Sequence, residues 1–328
     1  MFEVIKAGLE TAIQDWPGRI GYWNKGFPPS GPMDSWSFRL ANLLVGNALG
    51  EAGLECQFMG PTLRFTRDGV IAVTGADMQA KLDDVSIPQW QSIAVRAGQT
   101  LAMSFAKTGA RAYIAFAGGI DAPFVLGSRA TFHKAGVGGL DGYALKAGQT
   151  VPLLAGQGQA GRRVKAAARP VMRSDKRWDV EAVAGPNDDW IDAEGHARFL
   201  ATDWKVSSKS DRTGFRLDGP QWTFTSKAYN KLPEHGSEPA NILDQGYPLG
   251  AINLAGQTPI ILVSDGPSMG GFINPYTVPS CAFWKLAQAR PAEVFRFKSV
   301  TVQEAQAGAQ AIKALCVEAS IEVPTPSP

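Results

Sequence analysis

"SIAVRAGQTLAMSFAKTGARAYIAFAGG" spans residues 92–119 and decides the fold class of this chain. It contains three short runs rich in aliphatic, β-branched and aromatic residues, at 92–98, 100–106 and 111–119, and turn residues separate them. Short runs of this composition, bounded by glycine and polar residues, are typical of β-strands. The stretch therefore predicts consecutive short strands.

The same pattern recurs on both sides of this stretch. Further strands are predicted at 60–66, 70–76, 215–220, 250–256, 259–266 and 293–300. The chain also has 36 glycines and 22 prolines in 328 residues, which favours many short strands joined by tight turns over a helical bundle. Helices are predicted only at 34–47, 192–204, 281–289 and 301–315, the first capped by Asp34 or Ser35. The fold class is therefore mainly β, with a few short helices.

Weak internal echoes suggest two related halves. The tetrapeptide AGQT occurs at 97–100, 147–150 and 255–258, and GPTLRF (60–65) resembles GPQWTF (219–224). Related halves would explain these echoes, and chance recurrence in a chain rich in glycine and alanine is the alternative. We expect an N-terminal β-rich half over 1–155, a linker over 156–175 and a C-terminal β-rich half over 176–328.

Composition excludes several classes of function. A net charge of +2 gives no electrostatic argument for binding nucleic acid or an anionic membrane. No stretch is long and apolar enough to span a bilayer, and the first residues lack the apolar core of a signal peptide. The three cysteines and three histidines are scattered without metal-type spacing, so we expect a cytoplasmic protein without a metal.

A stiff loop precedes the first helix. Residues 27–34 read FPPSGPMD, in which three prolines fix φ and one glycine gives freedom at a single point. This loop brings Ser30, Asp34 and the first amides of the helix to one place, and helix amino ends favour carboxylate or carbonyl oxygens. The residues alone leave two interpretations open: a wall of a small-molecule cleft, or a rigid connector with a capping Asp34.

A second loop follows an apolar strand near the end of the chain. Residues 264–275 read SDGPSMGGFINP. Asp265, Ser268 and Asn274 can form hydrogen bonds, while Gly270 and Gly271 would let a ligand approach the backbone. A glycine-rich turn is the alternative, but polar groups clustered after a buried strand favour a site.

A third segment, NILDQGYPLGAINLAG at 241–256, carries a carboxylate and an amide three residues apart. The Asp244 carboxylate could accept two N–H bonds and the Asn241 amide could meet a carbonyl, which suits a small planar ligand rich in N–H groups. An Asx-type turn is the alternative. Arg212, in DRTGFRLDGP, could bind an anion or form a surface ion pair.

Five long segments together resemble the allophanate-hydrolase-subunit-2 family. They are IQDWPGRIGYWNKGFPPSGPMDSWSFRLANLLVGN (13–47), GPTLRF (60–65), DRTGFRLDGP (211–220), NILDQGYPLGAINLAGQTPIIL (241–262) and DGPSMGGFINP (265–275). That family includes KipA-like proteins, the group of 5-oxoprolinase C subunits and the carboxyltransferase domain of urea carboxylase, whose motifs are the most similar. The resemblance covers roughly residues 2–315 and implies two related cyclophilin-like β-barrel halves.

The resemblance also implies an activity and partners. It implies a carboxyltransferase component that moves carboxyl from carboxybiotin to a nitrogen of a urea, guanidine or amide substrate. The partner would be an allophanate-hydrolase-subunit-1 or KipI-like protein. The chain lacks the Met-Lys-Met motif of a biotinyl carrier and any part resembling a biotin carboxylase, so biotin would be carried on a partner chain. Gln245 and Pro248 depart from the Asn and Ala expected there.

Within the carboxyl transfer that the resemblance implies, we hypothesise a role for each group of candidate residues. Asp244 and Asn241 would hold the amide substrate, and the Asp265–Ser268 loop with its glycines would face the carboxyl or the biotin ureido oxygen. Ser30 and Asp34 would shape an opposing wall, so we expect the early and late loops to form one recess. Two other functions stay open: the C subunit of an ATP-dependent 5-oxoprolinase, and a non-catalytic KipA-like regulator.

Overall fold

The structure is a computed structural model that describes residues 1–323, and these fold as two compact units. The first unit comprises residues 1–20, 29–172 and 312–323. The second comprises Gly21–Pro28 and Arg173–Ala311. The two units are therefore not simply an N-terminal and a C-terminal half. Residues 21–28 belong to the second unit, and the chain returns to the first unit after residue 311.

Short strands dominate both units. The first unit contains β1 (Phe2–Lys6), β2 (Glu10–Gln14), β3 (Gly53–Gln57), β4 (Thr62–Phe65), β5 (Gly69–Asp77), β6 (Lys81–Leu82), β7 (Val85–Ser86), β8 (Ser92–Val95), β9 (Thr100–Ala102), β10 (Thr108–Phe116), β11 (Thr150–Val151) and β12 (Arg163–Val164). The second contains β13 (Arg177–Ala184), β14 (Asp203–Val206), β15 (Gly214–Asp218), β16 (Asn241–Gly246), β17 (Ala251–Ala255), β18 (Thr258–Leu262), β19 (Met269–Phe272), β20 (Tyr276–Thr277) and β21 (Val294–Ser299). The last strand, β22 (Ile321–Glu322), returns to the first unit.

Helices are short and lie between the strands. The α-helices are α1 (Ser35–Leu44), α2 (Ala193–Ala201), α3 (Ser226–Tyr229), α4 (Phe283–Gln288) and α5 (Val302–Leu315). Single 3₁₀ turns occur at Trp23–Lys25, His133–Ala135, Ala166–Ala168, Asp188–Trp190, Pro233–His235, Ser280–Ala282 and Glu318–Ser320. None of the helices in residues 1–323 has the length and apolar character needed to cross a bilayer.

Strand β10 organises the core of the first unit. It is the central strand of a five-stranded sheet in the order β2-β3-β10-β5-β8, and nearly all of its residues are buried. Because side chains alternate between the faces of a strand, Ile114 and Phe116 enter one apolar cluster while Tyr113 and Ala115 enter another. A sheet covered on both faces explains why this segment reads as a nearly continuous apolar run.

Each face of that sheet has its own cover. The first cluster also takes in residues of a six-stranded sheet in the order β11-β1-β4-β9-β6-β7. The second cluster contains the apolar face of α1, with Phe38 edge-on to Tyr113 at a ring-centroid distance of 5.9 Å. The helix and the sheet therefore fix the loop that precedes α1.

A closed barrel forms the second unit. Its strands run β13-β20-β17-β18-β15-β14-β21, closed by a parallel pairing of β13 with β21. Helix α2 packs against the barrel through Phe199, which stacks on Phe297 and Tyr276. The ring centroids are 4.5 Å and 4.3 Å apart, respectively. Strands β16 and β19 form a separate two-stranded sheet. The mainly β prediction with a cyclophilin-like barrel is confirmed.

Residues 156–172, most of the segment predicted as a linker, belong to the first unit. There β12 pairs with β22, and the backbone N–H of Ser92 donates to the carbonyl of Arg162 at 2.8 Å. The backbone of this basic segment is therefore hydrogen-bonded to other strands of the first unit.

Candidate functional site

The two-stranded sheet in the second unit carries several of the candidate residues. Asn241 pairs with Phe272, Gln245 with Gly270 and Gly246 with Met269, and the register shifts between Asn241 and Gln245. Asp244 lies within that irregular segment. Register irregularities of this kind re-aim side chains and are frequent next to functional sites.

Asp244 has an exposed carboxylate that makes no hydrogen bond or ion pair with residues 1–323. Gly271 lies beside it: a Cβ at position 271 would stand 3.7 Å from Asp244 Oδ1 and 3.0 Å from the carbonyl oxygen of Ile242. A Cβ at position 271 would therefore crowd the backbone at Ile242 and would touch the Asp244 carboxylate at ordinary van der Waals distance. The side-chain amide of Asn241 and the hydroxyl of Ser268 likewise have no hydrogen-bond partner among these residues.

Two side chains lock the sheet in place. The Tyr247 hydroxyl donates to the carbonyl of Phe272 at 3.0 Å and accepts from its N–H at 2.6 Å. The Gln245 amide donates to the same carbonyl at 3.2 Å and to Asn187 Oδ1 at 2.7 Å. Burial raises the pKa of Tyr247, and the nearby Asp244 charge raises it further. The Asp244 carboxylate, without a partner among residues 1–323, therefore lies on a sheet that Tyr247 and Gln245 hold in place.

A cleft of about 590 Å³ opens beside this sheet. Its walls combine aromatic, pyrrolidine and thioether surfaces with a few polar groups: Trp23, Asn24, Gly246, Tyr247, Pro248, Ser268 and Met269. The indole Nε1–H of Trp23 is buried and has no acceptor within residues 1–323. The cleft therefore presents apolar walls together with hydrogen-bond donors that have no acceptor among residues 1–323.

Arg212 and Asp265 form a buried ion pair with each other. Arg212 Nε donates to Asp265 Oδ2 at 2.9 Å and a second guanidinium nitrogen lies 3.3 Å from Oδ1, with both residues about 5% exposed. The backbone N–H of Asp265 also donates to the carbonyl of Arg212 at 2.8 Å. The pair fastens the loop after β18 to the loop before β15. The predicted roles of these two groups toward a ligand stay predictions.

Asn274 has a similar structural role. It is fully buried, and its side-chain amide donates to the backbone carbonyls of Tyr276 and Ile252. Its own N–H donates to Asn187 Oδ1 at 2.8 Å, the oxygen that also holds Gln245. Asn274 therefore ties the end of the two-stranded sheet to the barrel, and its predicted contact with a ligand stays a prediction.

At the end of the early loop, the polar groups of Met33 and Asp34 form hydrogen bonds with other residues of the first unit. Asp34 is fully buried and caps α1: it accepts from the Ser37 N–H at 2.9 Å and from the Ser37 hydroxyl at 2.5 Å, so the predicted cap is confirmed. Its own N–H donates to the Tyr113 hydroxyl, and the N–H of Met33 donates to Glu55, both at 2.8 Å. These amides and this carboxylate therefore have partners within the fold, and the role predicted for Asp34 in a ligand wall stays a prediction.

Ser30 differs from the rest of that loop. It has a φ of +55°, a left-handed conformation that non-glycine residues seldom adopt, and it is 6% exposed. Its hydroxyl has no hydrogen-bond partner among residues 1–323. The shared recess expected for the early and late loops stays a prediction.

Within residues 1–323, no three His, Cys, Asp or Glu side chains are grouped as metal ligands. His196 is used structurally: its Nδ1 lies 2.6 Å from the Tyr276 hydroxyl and its Nε2 lies 3.0 Å from the Asp188 carbonyl. Because a carbonyl can only accept, Nε2 carries the proton and Tyr276 donates to Nδ1.

Sequence reasoning missed several residues of this region. Trp23 and Asn24 line the cleft although they precede the proline-rich loop by only a few residues, and no local pattern assigns 21–28 to the second unit. Tyr247 and Gln245 lie in the segment at 241–256, but their role depends on contacts with Phe272 and Asn187. An aromatic residue beside a glycine-rich strand was the one available signal for Tyr247.

Comparisons with known proteins agree with one another. The family described as "Carboxyltransferase domain, subdomain A and B" matches residues 25–299. Urea amidolyase of Lachancea kluyveri is 39% identical over 316 residues, covering 93% of this chain and 17% of that protein. The C subunit of 5-oxoprolinase from Escherichia coli is 32% identical and is covered to 93%, as is this chain.

A solved structure extends the likeness to the fold. The crystal structure of Kluyveromyces lactis urea amidolyase superposes with a TM-score of 0.90 at 37% identity, covering 96% of this chain and 20% of that one. The chain spans about a fifth of the length of the urea amidolyases that it matches.

Proposed function

The chain belongs to the carboxyltransferase domain family, and from that premise we propose that it transfers a carboxyl group onto a nitrogen of a small urea, guanidine or amide substrate. The observation that carries this proposal is Asp244, an exposed carboxylate without a partner in residues 1–323, on a sheet locked by Tyr247 and Gln245. A carboxylate accepts two N–H bonds at once, which orients an –NH₂ group of such a substrate.

Other residues of the same sheet complete the binding of substrate. The Asn241 amide donates to the substrate carbonyl, while Asp244 accepts from its N–H groups. Gly270 and Gly271 carry no side chain, so the substrate can approach the backbone beside Asp244. Holding the nitrogen in one orientation reduces the entropy lost on the way to the transition state.

The proposal includes biotin carried by a partner. Carboxybiotin supplies an activated carboxyl group when its carrier docks. The cleft fits a flat ureido group, because it offers aromatic walls and the unpaired Ser268 hydroxyl. We propose a subunit-1 or KipI-like protein, a biotinyl carrier and a biotin carboxylase as partners. The match covers only 17% of the urea amidolyase of Lachancea kluyveri, so that protein is long enough to contain further components.

The test is a substitution at Asp244 in the complex reconstituted with those partners. Asp244→Asn keeps the shape but can no longer accept two N–H bonds, so we expect a loss of about 10²-fold or more in kcat/KM for ATP- and bicarbonate-dependent carboxylation of urea. Asp218→Asn is the matched control, as Asp218 is an exposed acid at the end of β15. Full activity of Asp244→Asn would overturn the proposal.

A second function is favoured by one specific observation. The 5-oxoprolinase C subunit of E. coli matches along 93% of both chains at 32% identity, whereas the urea amidolyases extend far beyond the match. Biotin-independent ATP hydrolysis stimulated by 5-oxoproline, measured with the other two oxoprolinase components (A and B) present, would select this function.

A further inference from the structure

We infer that a cavity in the first unit binds a free α-amino acid with a branched aliphatic side chain, such as leucine. The cavity has a volume of about 150 Å³, and all of its lining residues belong to that unit. It shares no lining residue with the cleft beside the two-stranded sheet of the second unit. Its occupant is therefore independent of the proposed carboxyl transfer.

The inner wall of the cavity is apolar and comes from both large sheets of the first unit. Phe65 belongs to β4 of the six-stranded sheet. Ile71, Val95 and Phe116 belong to β5, β8 and β10 of the five-stranded sheet. All four residues are buried members of the first apolar cluster. An apolar cavity of about 150 Å³ can hold a body as large as a benzene ring, so this wall suits an aliphatic side chain of about four carbons.

Arg67 lines the solvent-exposed end of the cavity and supplies a positive charge there. Its Nη2 group donates to the backbone carbonyls of Leu153 and Leu154 at 3.1 Å and 2.5 Å, which holds the guanidinium in place. Its Nε–H and Nη1 groups have no hydrogen-bond or ion-pair partner among residues 1–323. A guanidinium with unused N–H groups is a good donor to a carboxylate. Arg67 is therefore positioned to bind the carboxylate of a ligand whose side chain enters the cavity.

Asp68 places a negative charge beside Arg67 at the same end of the cavity. Its Oδ1 atom accepts from the backbone N–H of Ala97 at 2.8 Å, whereas Oδ2 has no partner among the described residues. A ligand ammonium group can donate to that oxygen. An α-amino acid carries an ammonium and a carboxylate on one carbon, so it matches both charges. A ligand with only one of these charges would be repelled by the side chain of like sign.

The loop at 153–156 is held in place by backbone contacts as well as by Arg67. The N–H of Leu154 donates to the Gly119 carbonyl at 3.1 Å, and Leu153 forms a β-bridge with Ile120. The small residues of this loop line the cavity and fill little of it with side chain. The cavity therefore exists before a ligand enters, and binding needs little ordering of the backbone, which lowers its entropic cost.

The test observes the inner wall of the cavity directly. A ¹H–¹³C methyl spectrum of the whole chain is titrated with L-leucine, and Ile71→Val assigns the Ile71 δ1-methyl signal by its disappearance. We expect leucine to shift that signal. L-Alanine has the same charged groups but a side chain three carbons shorter, so it should bind at least about 10-fold more weakly.

Two further ligands separate the two charges. 4-Methylpentanoate keeps the carboxylate and the branched chain of leucine but lacks the ammonium group, while 3-methylbutylamine lacks the carboxylate. Each should bind about 3-fold more weakly than leucine, because exposed charge pairs contribute modestly. Asp68→Asn should remove the preference for leucine over 4-methylpentanoate, and Arg67→Gln should remove the preference over 3-methylbutylamine. Arg64→Gln is the matched control, since Arg64 is exposed, pairs with Glu3 and does not line the cavity.

Ala155→Leu tests the site without changing a charge. Ala155 is exposed and lines the cavity, so a larger side chain there should narrow the cavity and weaken leucine binding. Ala167→Leu, at an exposed position of the same unit outside the cavity, should bind leucine like the unmodified chain. Thermal unfolding of each variant checks that the fold is intact. If leucine does not shift the Ile71 signal, or if alanine or 4-methylpentanoate binds as tightly as leucine, the inference is overturned.

Discussion

The segments around the two-stranded sheet of the second unit and the proline-rich loop before α1 are both candidate sites by composition, but their acids differ in their partners. Both combine glycine or proline with acids and hydroxyls. At the loop, the Asp34 carboxylate and the Met33 and Asp34 amides are all bound by other groups of the fold. On the sheet, the Asp244 carboxylate has no such partner in residues 1–323. A polar, turn-rich motif thus predicts a fixed backbone. Whether its side chains can bind a ligand depends on whether residues distant in sequence already form hydrogen bonds with them.

This contrast predicts opposite consequences of mutation. Acids that the fold already uses should affect stability, because removing them leaves buried donors or charges unpaired. An acid that the fold does not use should affect activity alone.

The largest loss of stability is expected at the buried ion pair. Asp265→Ala leaves the Arg212 guanidinium without its bidentate partner in a site about 5% exposed, so we expect a loss of about 3–5 kcal/mol in the free energy of unfolding. Urea denaturation of the whole chain measures it. Asp218→Ala is the control, since Asp218 is exposed. A loss below about 1 kcal/mol would mean that water replaces the pair.

A smaller loss is expected at the cap of α1. Asp34→Ala removes the acceptor of the Ser37 N–H and of the Ser37 hydroxyl, which should cost about 1–2 kcal/mol. Asp34→Asn, another good capping residue, should recover much of this loss. Thermal unfolding of the three proteins provides the comparison. Equal stability of Asp34→Ala and the unmodified chain would show that the cap does not hold the loop.

The smallest effect on stability is expected for Tyr247 at alkaline pH. Burial raises its pKa above 10, so its contribution is present below pH 10 and is lost as pH rises through the folded pKa. The free energy of unfolding should therefore fall above pH 10, by at most about 1.4 kcal/mol per pH unit for one proton. Tyr247→Phe should reduce this slope without abolishing it, because burial also raises the pKa values of Tyr113 and Tyr276. Tyr229→Phe, at an exposed site, should leave the slope unchanged.

Local pattern predicted much of the fold. The strands around β5, β8, β9 and β10 and the helices α1, α2, α4 and α5 were recognisable because each carries its own periodicity or turn signals. Strand β13 was missed, although Trp178, Val180 and Ala182 alternate with Asp179 and Glu181. Its charged outer face resembled the polar segment before it, and its parallel pairing with β21 lies more than a hundred residues away.

The candidate site was predictable only in part. The sequence indicated Asn241, Asp244 and Ser268, because short polar side chains beside glycines are visible locally. It could not separate them from Asp265 and Asn274, since the partners Arg212 and Ile252 lie 53 and 22 residues distant. Nor could it assign Trp23 to the second unit, because that depends on how residues 21–28 pack.

The most direct test of the account compares stability and activity in one variant, Asp244→Ala. Because this carboxylate has no partner in the described chain, the free energy of unfolding should change by less than about 0.5 kcal/mol. Carboxylation of urea by the reconstituted complex should be abolished. A destabilisation above about 2 kcal/mol, or a stable variant that carboxylates urea at the normal rate, would contradict the account.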